Sequence, residues 1–479
     1  MRYDYIVIGS GAGGAAAAWR LAQTGRRILV LEKGDELPAD GSTLDVDRVI
    51  RQKAFTSREP WRTPGGRTVA LKEYFNLGGK TKWTGAALIR FQRHEFDADP
   101  DHRCRAWPIS YDDLEPYYAK IEDLLAVRSF AIETDLQRIL AGLRRHDPAW
   151  EQHPLPLGLA PQIVDHPEEM RRFDGGFASP RGLKSDAVVC LLDQLKGANH
   201  VRIASAKEVA ALEPAPGDPR RIGAITCTDG SRYEAETVVL AAGALHSPRL
   251  LQRYVQRNGG AAVPASFEQI GRNYKCHLNS FLLAVSPQRR VTDRLRKTVV
   301  LFHPAFPHSS VQTVGWMDGE LLGTQLPGFV PQSVANAIAA RAYGFWLSTE
   351  DGSSADNQVI DADGKGHPTL DYDTARLPEA KGEHRRLWRL LRGQFLRLGH
   401  VAVVKEGSLE GTAYACGTLA AGDDPNTSVI AADGRVHRLD NLYVADGSAL
   451  PRSGRVNPAL TIYAWALRVA DLLSCRGQG

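Results

Sequence analysis

Apolar residues near the start of the chain predict a strand, a helix and a second strand around a glycine-rich turn. The apolar run Tyr5–Ile8 is typical of a buried strand and leads directly into the glycine-rich sequence Gly9–Gly14. A helix over Ala15–Gln23 follows, with Gly25 placed as its C-terminal stop. The apolar run Ile28–Leu31 predicts the second strand. This order is typical of the first unit of a doubly wound α/β domain.

The spacing of the glycines gives this turn a chemical role. Gly9 permits a sharp turn out of the strand, Gly11 permits a pyrophosphate to approach the backbone, and Gly14 permits close packing of the helix on the sheet. The start of a helix favours negative charge, so the pyrophosphate is expected there. Glu32 follows the second strand, 18 residues beyond Gly14. A carboxylate at that place accepts both hydroxyls of a ribose and repels a 2′-phosphate, which favours NAD or FAD over NADP.

The next part of the chain departs from a simple alternation of strands and helices. A second glycine cluster spans residues 76–85, and Ser110 is placed to cap a helix over Tyr111–Leu125. Six prolines between residues 146 and 181 indicate a surface excursion, which is either a lid over a pocket or an ordinary long loop. The apolar run Val238–Gly243 then predicts a buried strand, with a helix starting at Ser247.

A change of pattern in the middle of the chain predicts a second domain. Strand-like runs at Ser280–Val285, Thr298–Phe302 and Phe345–Leu347 alternate with polar turns, which favours an antiparallel sheet with flanking helices. We therefore predict a Rossmann-like α/β dinucleotide domain with an inserted α+β substrate domain. The dinucleotide domain is expected at 1–105, 185–275 and 415–479, the helix and proline-rich excursion at 106–184, and the substrate domain at 276–414.

The C-terminal segment predicts a second contribution to the same site. A strand over 441–447 leads to Asn457 and Pro458, which suit the cap and the first position of a helix. Leu460, Ala464 and every third or fourth residue beyond them give this helix an apolar stripe. Its N-terminus would stabilise the negative charge that a flavin ring acquires on reduction. The two ends of the chain together indicate a flavoenzyme.

Composition narrows the remaining classes of protein. The 479 residues exceed one simple core, and 43% of them are hydrophobic, as in an ordinary globular protein. The net charge of +4, without a basic run interleaved with aromatics, argues against a nucleic-acid partner. The six cysteines lack metal-ligand spacing, so we expect reduced thiols and no metal. We also expect no signal peptide, no membrane span and a cytoplasmic location.

Several motifs in order along the chain resemble the glucose–methanol–choline (GMC) oxidoreductase family. They are Gly9–Gly14 with Glu32, 78–90, 239–250 and 441–473, with support from 107–118 and 270–273. Within this family, the sequence from Gly79 to Gly85 is most similar to the pyranose-oxidase-like branch. Residues 280–400 resemble the family only weakly.

The resemblance implies FAD bound in an extended form. The residues that it places at FAD are Gly9, Gly11, Ala12, Gly14, Glu32, Lys33, Gly78, Gly79, Thr81, Trp83, Thr84, Gly85, Val209, Ala242, Gly243, Asp446, Gly447 and Pro458. Among them, Glu32 would hold the adenosine ribose and Val209 would meet the adenine. In pyranose oxidases a histidine of the 78–85 motif is linked covalently to the flavin. Lys82 stands at that position, so we expect non-covalent FAD.

The catalytic pair departs from the family pattern. Family members usually carry a histidine three residues before the glycine of a Gly-Thr pair, and a histidine or asparagine further on. The pair here is Gly417 and Thr418, and the histidine position holds Tyr414. The second position holds Asn457. The resemblance therefore places Tyr414 and Asn457 at the reacting alcohol.

Three roles for Tyr414 are open at this point. It is an activated base if a cation such as Arg455 or Lys82 lowers its pKa by roughly three units, at a cost of about 4 kcal/mol. It is an orienting hydrogen bonder if a histidine such as His277 or His303 accepts the proton. It otherwise marks a slow or redox-silent member of the family.

The resemblance implies FAD-dependent oxidation of an alcohol to an aldehyde or ketone. The expected substrate is a small molecule: a sugar, a polyol, or an aminosugar or aminocyclitol. The acidic stretches 318–320 and 350–351 either bind ammonium groups or are solvated turns. A GMC-type lyase, or a redox-silent flavoprotein, is the alternative. An NAD-dependent dehydrogenase is disfavoured by the 446–458 segment, and oxygen, a quinone and a protein all stay open as electron acceptor.

Overall fold

The computed structural model describes residues 2–258, 265–361, 366–408 and 414–476. Residues 1, 259–264 and 477–479 of the predicted dinucleotide domain, and 362–365 and 409–413 of the predicted substrate domain, therefore lie outside the described part. The strands are β1 (Arg2–Ile8), β2 (Ile28–Leu31), β3 (Pro60–Arg62), β4 (Thr68–Ala70), β5 (Glu151–Pro154), β6 (Val201–Ala204), β7 (Val209–Ala215), β8 (Asp218–Cys227), β9 (Arg232–Leu240), β10 (Leu278–Val285), β11 (Val299–Phe302), β12 (Ser309–Thr313), β13 (Ala342–Thr349), β14 (Gln358–Ile360), β15 (Thr369–Asp371), β16 (Val401–Glu406) and β17 (Leu442–Val444). The helices are α1 (Ala12–Ala22), α2 (Tyr111–Leu124), α3 (Thr134–His146), α4 (Pro167–Arg172), α5 (Ser247–Asn258), α6 (Gly319–Gly323), α7 (Gln332–Ala339), α8 (Pro378–Arg397) and α9 (Ala459–Arg476).

The first sheet has seven strands and confirms the predicted α/β class. Its order is β6-β2-β1-β9-β8-β7, and β17 also pairs with β9. The pairs β6–β2, β2–β1, β1–β9 and β9–β17 are parallel, whereas β7, β8 and β9 form an antiparallel meander. The strands β2 and β17 are apolar and buried, as expected where both faces of a sheet are covered, whereas the edge strand β6 is only partly buried. All seven strands fall within the three segments predicted for the dinucleotide domain, whose boundaries stay a prediction.

The second sheet is antiparallel throughout, as the middle of the chain predicts. Its order is β16-β10-β13-β12-β11-β5. One face packs on α8 through a separate apolar cluster that includes Val311, Phe345 and Phe395. Because side chains alternate along a strand, Gln312 points to the opposite face. The edge strand β5 comes from the proline-rich excursion, which is therefore structured rather than a bare loop.

Two predicted helices are found with small changes. The α2 helix spans Tyr111–Leu124, and the side chain of Ser110 accepts a hydrogen bond from the backbone N–H of Asp113 at its start. The α9 helix starts at Ala459, so Pro458 flanks the helix instead of occupying its first position. A third, smaller sheet has the order β14-β15-β3-β4. Within the described ranges, no helix has both the length and the apolar character needed to cross a bilayer.

Candidate active site

Three glycines at the junction of β1 and α1 occupy positions that only glycine fits. Gly9 has φ +102°, a backbone conformation that side chains rarely adopt. A Cβ on Gly13 would lie 1.6 Å from the carbonyl oxygen of Ala445, and one on Gly14 would lie 1.9 Å from that of Gly9. The sequence analysis assigned Gly14 to helix packing but overlooked Gly13, whose neighbour is more than 400 residues away.

Gly11, in contrast, faces open space. No heavy atom lies within 4 Å of a Cβ built on this residue. The first hydrogen bond of α1 runs from Ala15 N–H to the Gly11 carbonyl, so the N–H groups of the preceding turn, Ala12 included, have no intrahelical acceptor. An opening at a helix start, where N–H groups lack an acceptor within the helix, suits a pyrophosphate.

Glu32 lies beside this opening and ties it to the second glycine cluster. Its carboxylate accepts hydrogen bonds from the backbone N–H (3.0 Å) and the hydroxyl (2.6 Å) of Ser10, and from Gly34 N–H (2.9 Å). Burial raises its pKa. The Ser10 hydroxyl also accepts from Gly78 N–H at 2.9 Å. Since a carboxylate has about four acceptor positions, these three bonds leave about one position for a ribose hydroxyl.

The second glycine cluster is a short helical turn over Gly79–Trp83. Gly78 and Gly79 both have positive φ, at +85° and +53°. Thr81 stabilises the turn by donating its hydroxyl to the Gly78 carbonyl at 2.6 Å. Trp83 donates its indole N–H to the side chain of Asn76 at 2.8 Å and is buried in an apolar cluster. The predicted FAD-contacting role of these residues is not tested by their packing.

A buried lysine forms hydrogen bonds both to the end of this helical turn and to the proline-rich excursion. Lys184 is fully buried, and its amine donates to the carbonyls of Thr84 (2.6 Å), Phe173 (3.2 Å) and Phe177 (2.6 Å). Burial lowers its pKa to about 7. The excursion thus packs directly against the predicted cofactor loop. Its role as a lid stays a prediction.

The remaining predicted FAD residues surround the same opening. Asp446 accepts hydrogen bonds from Gly243 N–H at 2.8 Å and from the Ser247 hydroxyl, and burial raises its pKa. Gly447 lies against the Ala415 carbonyl, where a Cβ would be 3.0 Å from the oxygen. Gly243 has φ +85° and open space at its missing Cβ.

The adenine end of the predicted site lies at the start of β7. Val209 is buried there, and the Lys207 N–H two residues earlier donates to the Glu32 carbonyl. Ala242 N–H donates to Ser247 at 3.1 Å. The amine of Lys33 forms ion pairs with Glu59 (3.0 Å) and Glu208 (2.8 Å). The four predicted segments therefore meet around one cradle, whose open glycine positions, helix start and carboxylate fit a dinucleotide.

Asn457 and Tyr414 are in direct contact beside this cradle. The side-chain N–H of Asn457 donates to the Tyr414 hydroxyl oxygen at 2.5 Å. The amide oxygen of Asn457 accepts from the amide of Gln312, also at 2.5 Å. The prediction that Asn457 caps the last helix is wrong, because the Pro458 carbonyl accepts the first helical bond, from Ile462. The amide of Asn457 instead joins the second sheet to Tyr414.

The surroundings of Tyr414 hold it in its neutral form. Burial raises its pKa to about 12, the charge of Asp174 adds to the rise, and the bond from Asn457 opposes it only in part. The expected helper Arg455 lies over the ring of Phe302, at 4.1 Å from its centroid. Lys82 pairs with Asp186 at 3.0 Å. Neither cation lowers the pKa of Tyr414 in this arrangement, which disfavours the role of Tyr414 as an activated base.

The two candidate histidines lie in different places. The ring of His277 packs edge-on to Tyr414, with 5.4 Å between centroids. Its Nε2 lies 2.6 Å from the Gly454 carbonyl, which can only accept, so Nε2 carries a proton and Nδ1 is the nitrogen with the lone pair in the neutral ring. Nδ1 is buried without a hydrogen-bond partner among the described residues. His303 pairs with Asp147 at 3.1 Å, in contact with the rings of Trp150 and Phe306.

Asp174 and Lys297 form an ion pair at the same site, at 3.0 Å. A Cβ on Gly85 would meet both side chains, within 2.3 Å, so the pair touches the predicted cofactor loop. Although burial opposes it, the charge of Lys297 lowers the pKa of Asp174. The pair presents a fixed acceptor and a fixed donor beside Tyr414. Nothing in the local sequence around either residue identifies it.

The acidic stretches proposed for ammonium binding are already used within the protein. Arg172 bridges Asp318 (2.9 Å) and Glu320 (2.8 Å). Glu350 is buried and pairs with Arg452 at 2.6 Å. Although burial opposes ionisation, this pairing holds the pKa of Glu350 well below its usual range. These pairings disfavour ammonium binding at the two stretches, which stays a prediction for 318–320. Residues 350–351 are buried and do not form a solvated turn.

The same buried region holds a small cluster of side chains with ligating atoms. Atoms of Cys104, His308 and Glu350 lie within 4.8 Å of one another. His308 already contacts Asp99 at 3.0 Å and Glu350 at 3.4 Å, and these carboxylates raise its pKa against the effect of burial. With Arg452 on Glu350 as well, the cluster forms an ion-pair network. That the protein has no metal stays a prediction.

Comparisons with known proteins agree with this geometry. Residues 4–273, more than half of the chain, match the family model described as FAD dependent oxidoreductase. Residues 371–466 match the model described as GMC oxidoreductase.

Two curated relatives extend over nearly the whole chain. The 6'''-hydroxyparomomycin C oxidase of Streptomyces lividus is 28% identical, and the paromamine 6'-oxidase of Streptomyces fradiae is 29% identical. Each alignment covers 98% of this chain and 91% of the relative. Among solved structures, formate oxidase of Aspergillus oryzae superposes with a TM-score of 0.72 at 13% identity, over 100% of this chain and 99% of that one. This likeness concerns the fold alone.

Proposed function

Because the chain belongs to the GMC oxidoreductases, a family of FAD-dependent enzymes, we propose that it oxidises an alcohol group of a polyhydroxylated small molecule to an aldehyde or ketone. The observation that carries the proposal is the contact between Asn457 and Tyr414. Tyr414 adjoins the cradle, because the next residue, Ala415, packs on Gly447. When bound, FAD supplies the acceptor for the hydride that leaves the alcohol carbon.

We propose that the chain holds FAD without a covalent bond. The turn from Gly9 to Gly14 and the start of α1 bind the pyrophosphate, and Glu32 binds the adenosine ribose. Lys82 stands where the covalent histidine of pyranose oxidases would be, and its amine is paired with Asp186. Denaturation in acid should therefore release all the flavin into solution. Flavin that stays with the precipitated chain would contradict this proposal.

Tyr414 serves in this proposal as a hydrogen-bond donor to the substrate oxygen, not as the base. A phenol whose pKa is raised to about 12 keeps its proton at neutral pH. The proton of the alcohol goes to Nδ1 of His277, which makes no hydrogen bond among the described residues and belongs to the ring that packs edge-on to Tyr414. Replacing His277 by Asn should slow reduction of bound flavin by about 10²–10⁴-fold with FAD content unchanged. A wild-type rate in this variant would remove His277 from the mechanism.

We propose an aminosugar, aminocyclitol or sugar alcohol as the substrate class. The two relatives with aminoglycoside-type names support this class. The Asp174–Lys297 pair can accept a hydrogen bond from one substituent of such a ring and donate one to another. If Asp174 attracts a substrate ammonium group, added salt should weaken apparent affinity for aminosugars more than for neutral polyols. Equal salt dependence would limit the pair to hydroxyl recognition.

The direct test is reduction of bound flavin without oxygen by a panel of alcohols. Loss of the visible absorbance of oxidised flavin with polyols or aminosugars, and not with simple alcohols, would support the proposal. Failure of every alcohol to reduce a protein that plainly contains FAD would favour the lyase or the redox-silent alternative.

A further inference from the structure

Gln312 is a buried polar residue on the face of the second sheet that looks away from α8. It lies in β12 between Val300 of β11 and Trp346 of β13, which are its cross-strand neighbours. Only 2% of its surface is exposed. A buried amide is costly unless it is hydrogen-bonded, and the bond that Gln312 makes is with the side chain of Asn457.

From Gln312 to Asn457 and from Asn457 to Tyr414, each side chain donates a hydrogen bond to the next. The amide nitrogen of Gln312 donates to the amide oxygen of Asn457, at 2.5 Å. That leaves the amide nitrogen of Asn457 facing the hydroxyl of Tyr414. An amide nitrogen can only donate, so the hydroxyl oxygen of Tyr414 must accept. The hydroxyl proton of Tyr414 is thus not used by Asn457.

We infer that Gln312 is a positioning residue for catalysis. By holding the amide of Asn457 in one orientation, it makes Tyr414 an acceptor towards Asn457 and a donor towards the substrate oxygen. That donor bond strengthens as the alcohol oxygen loses its proton and gains negative charge. This inference rests on the proposed function, because it gives Gln312 a task in the same reaction.

The decisive variant is Gln312→Glu, which keeps the shape of the side chain. Its carboxylate can only accept, so the Asn457 amide should turn and present its oxygen to Tyr414. Tyr414 must then donate to Asn457 and loses its bond to the substrate, so we expect flavin reduction to slow by about 10²-fold at neutral pH. At lower pH the introduced carboxyl becomes protonated and donates again, so the rate should recover towards that of the parent protein.

Two further variants distinguish the effect of hydrogen-bond direction from the effects of side-chain packing and added charge. In Gln312→Leu the side chain has no donor, so flavin reduction should be slow at every pH and should not recover in acid. Gln137→Glu places the same charge on the exposed face of α3 and should follow the pH profile of the parent protein. The inference is overturned if the flavin of Gln312→Glu is reduced at the parental rate. It is also overturned if flavin reduction in this variant is slowed by the same factor at every pH.

A second readout does not depend on turnover. In protein labelled with 3-fluorotyrosine, the ¹⁹F resonance of Tyr414 can be assigned by its absence in Tyr414→Phe. In Gln312→Glu this resonance should shift at neutral pH and return in acid, because the phenol changes from acceptor to donor. If no alcohol reduces the flavin of the parent protein but this shift occurs, the proposed function fails while the directional role of Gln312 holds. An unchanged resonance contradicts the directional role.

Discussion

The side-chain amide of Asn457 donates a hydrogen bond to the hydroxyl oxygen of Tyr414 at 2.5 Å. The two residues come from different parts of the chain, since Asn457 precedes α9 and Tyr414 follows β16. Gln312 adds a third part, the second sheet, through its bond to Asn457. The site therefore exists only when the two sheets are packed together, and the dinucleotide cradle lies beside it.

Removing the hydroxyl of Tyr414 should affect the reaction and not the cofactor. In Tyr414→Phe we expect flavin reduction to slow by about 10²–10³-fold, because the donor to the substrate oxygen that gains negative charge is lost. Since the pKa of Tyr414 is raised to about 12, the parental rate should show no tyrosine ionisation between about pH 6 and pH 10. The measurement is the pH profile of anaerobic reduction for both proteins. An ionisation near neutrality that disappears in Tyr414→Phe would contradict the donor role.

Two neighbouring glycines should respond differently to substitution by alanine. Gly11→Ala fills the open space at the start of α1, so the protein should fold but bind FAD at least about tenfold more weakly. Gly13→Ala places a Cβ 1.6 Å from the Ala445 carbonyl and should destabilise the fold by several kcal/mol. Thermal unfolding of the FAD-free proteins and titration with FAD measure the two effects. The control Gly393→Ala, which meets no atom within 4 Å in α8, should be neutral or slightly stabilising.

His384 should make the fold sensitive to mild acid. Its ring lies between the hydroxyls of Ser280 and Thr349, both at 2.8 Å, and burial lowers its pKa to about 4. In the unfolded chain the histidine pKa is about 6.5, so the unfolded state takes up the proton first as pH falls. His384 therefore contributes about 3 kcal/mol to the free energy of unfolding above about pH 6.5, and this contribution is lost as the pH falls from about 6.5 to 4. Unfolding of His384→Gln should show a correspondingly weaker pH dependence, and an identical slope would contradict this.

The ion pair of Arg452 and Glu350 should matter more than pairs on the surface. Both side chains are only 1% exposed. Arg452→Met leaves a buried carboxylate without its partner and should cost about 3–5 kcal/mol in the free energy of unfolding. The control Arg2→Met breaks an exposed pair with Glu236 and should cost about 0–1 kcal/mol. Similar losses for the two variants in denaturant unfolding would contradict this account.

The parts of the fold that follow from local sequence could be predicted. Gly9, Gly11 and Gly14 mark the first turn, because a strand, a tight turn and a helix are encoded within a few residues. The antiparallel sheet follows from strand-like runs separated by polar turns. The strand Glu151–Pro154 could not be foreseen, since it adds to that sheet from a distant proline-rich segment.

The catalytic surroundings could be predicted only in part. The family resemblance brought Tyr414 and Asn457 together, but Gln312, Asp174 and Lys297 carry no local signal. Their partners lie far away in the chain, and only tertiary packing brings them into contact. For the same reason Asn457 resembled a helix cap, although its amide is bonded to Gln312 and Tyr414.

The central claim is tested most directly by anaerobic reduction of the purified FAD-containing protein with sugars, polyols, aminosugars and simple alcohols. We expect rapid loss of oxidised-flavin absorbance with one polyhydroxylated class, with a much slower loss in Tyr414→Phe at equal FAD content. If no alcohol reduces the bound flavin, or if Tyr414→Phe is reduced as fast as the parent protein, the proposed oxidation at the Asn457–Tyr414 pair is contradicted.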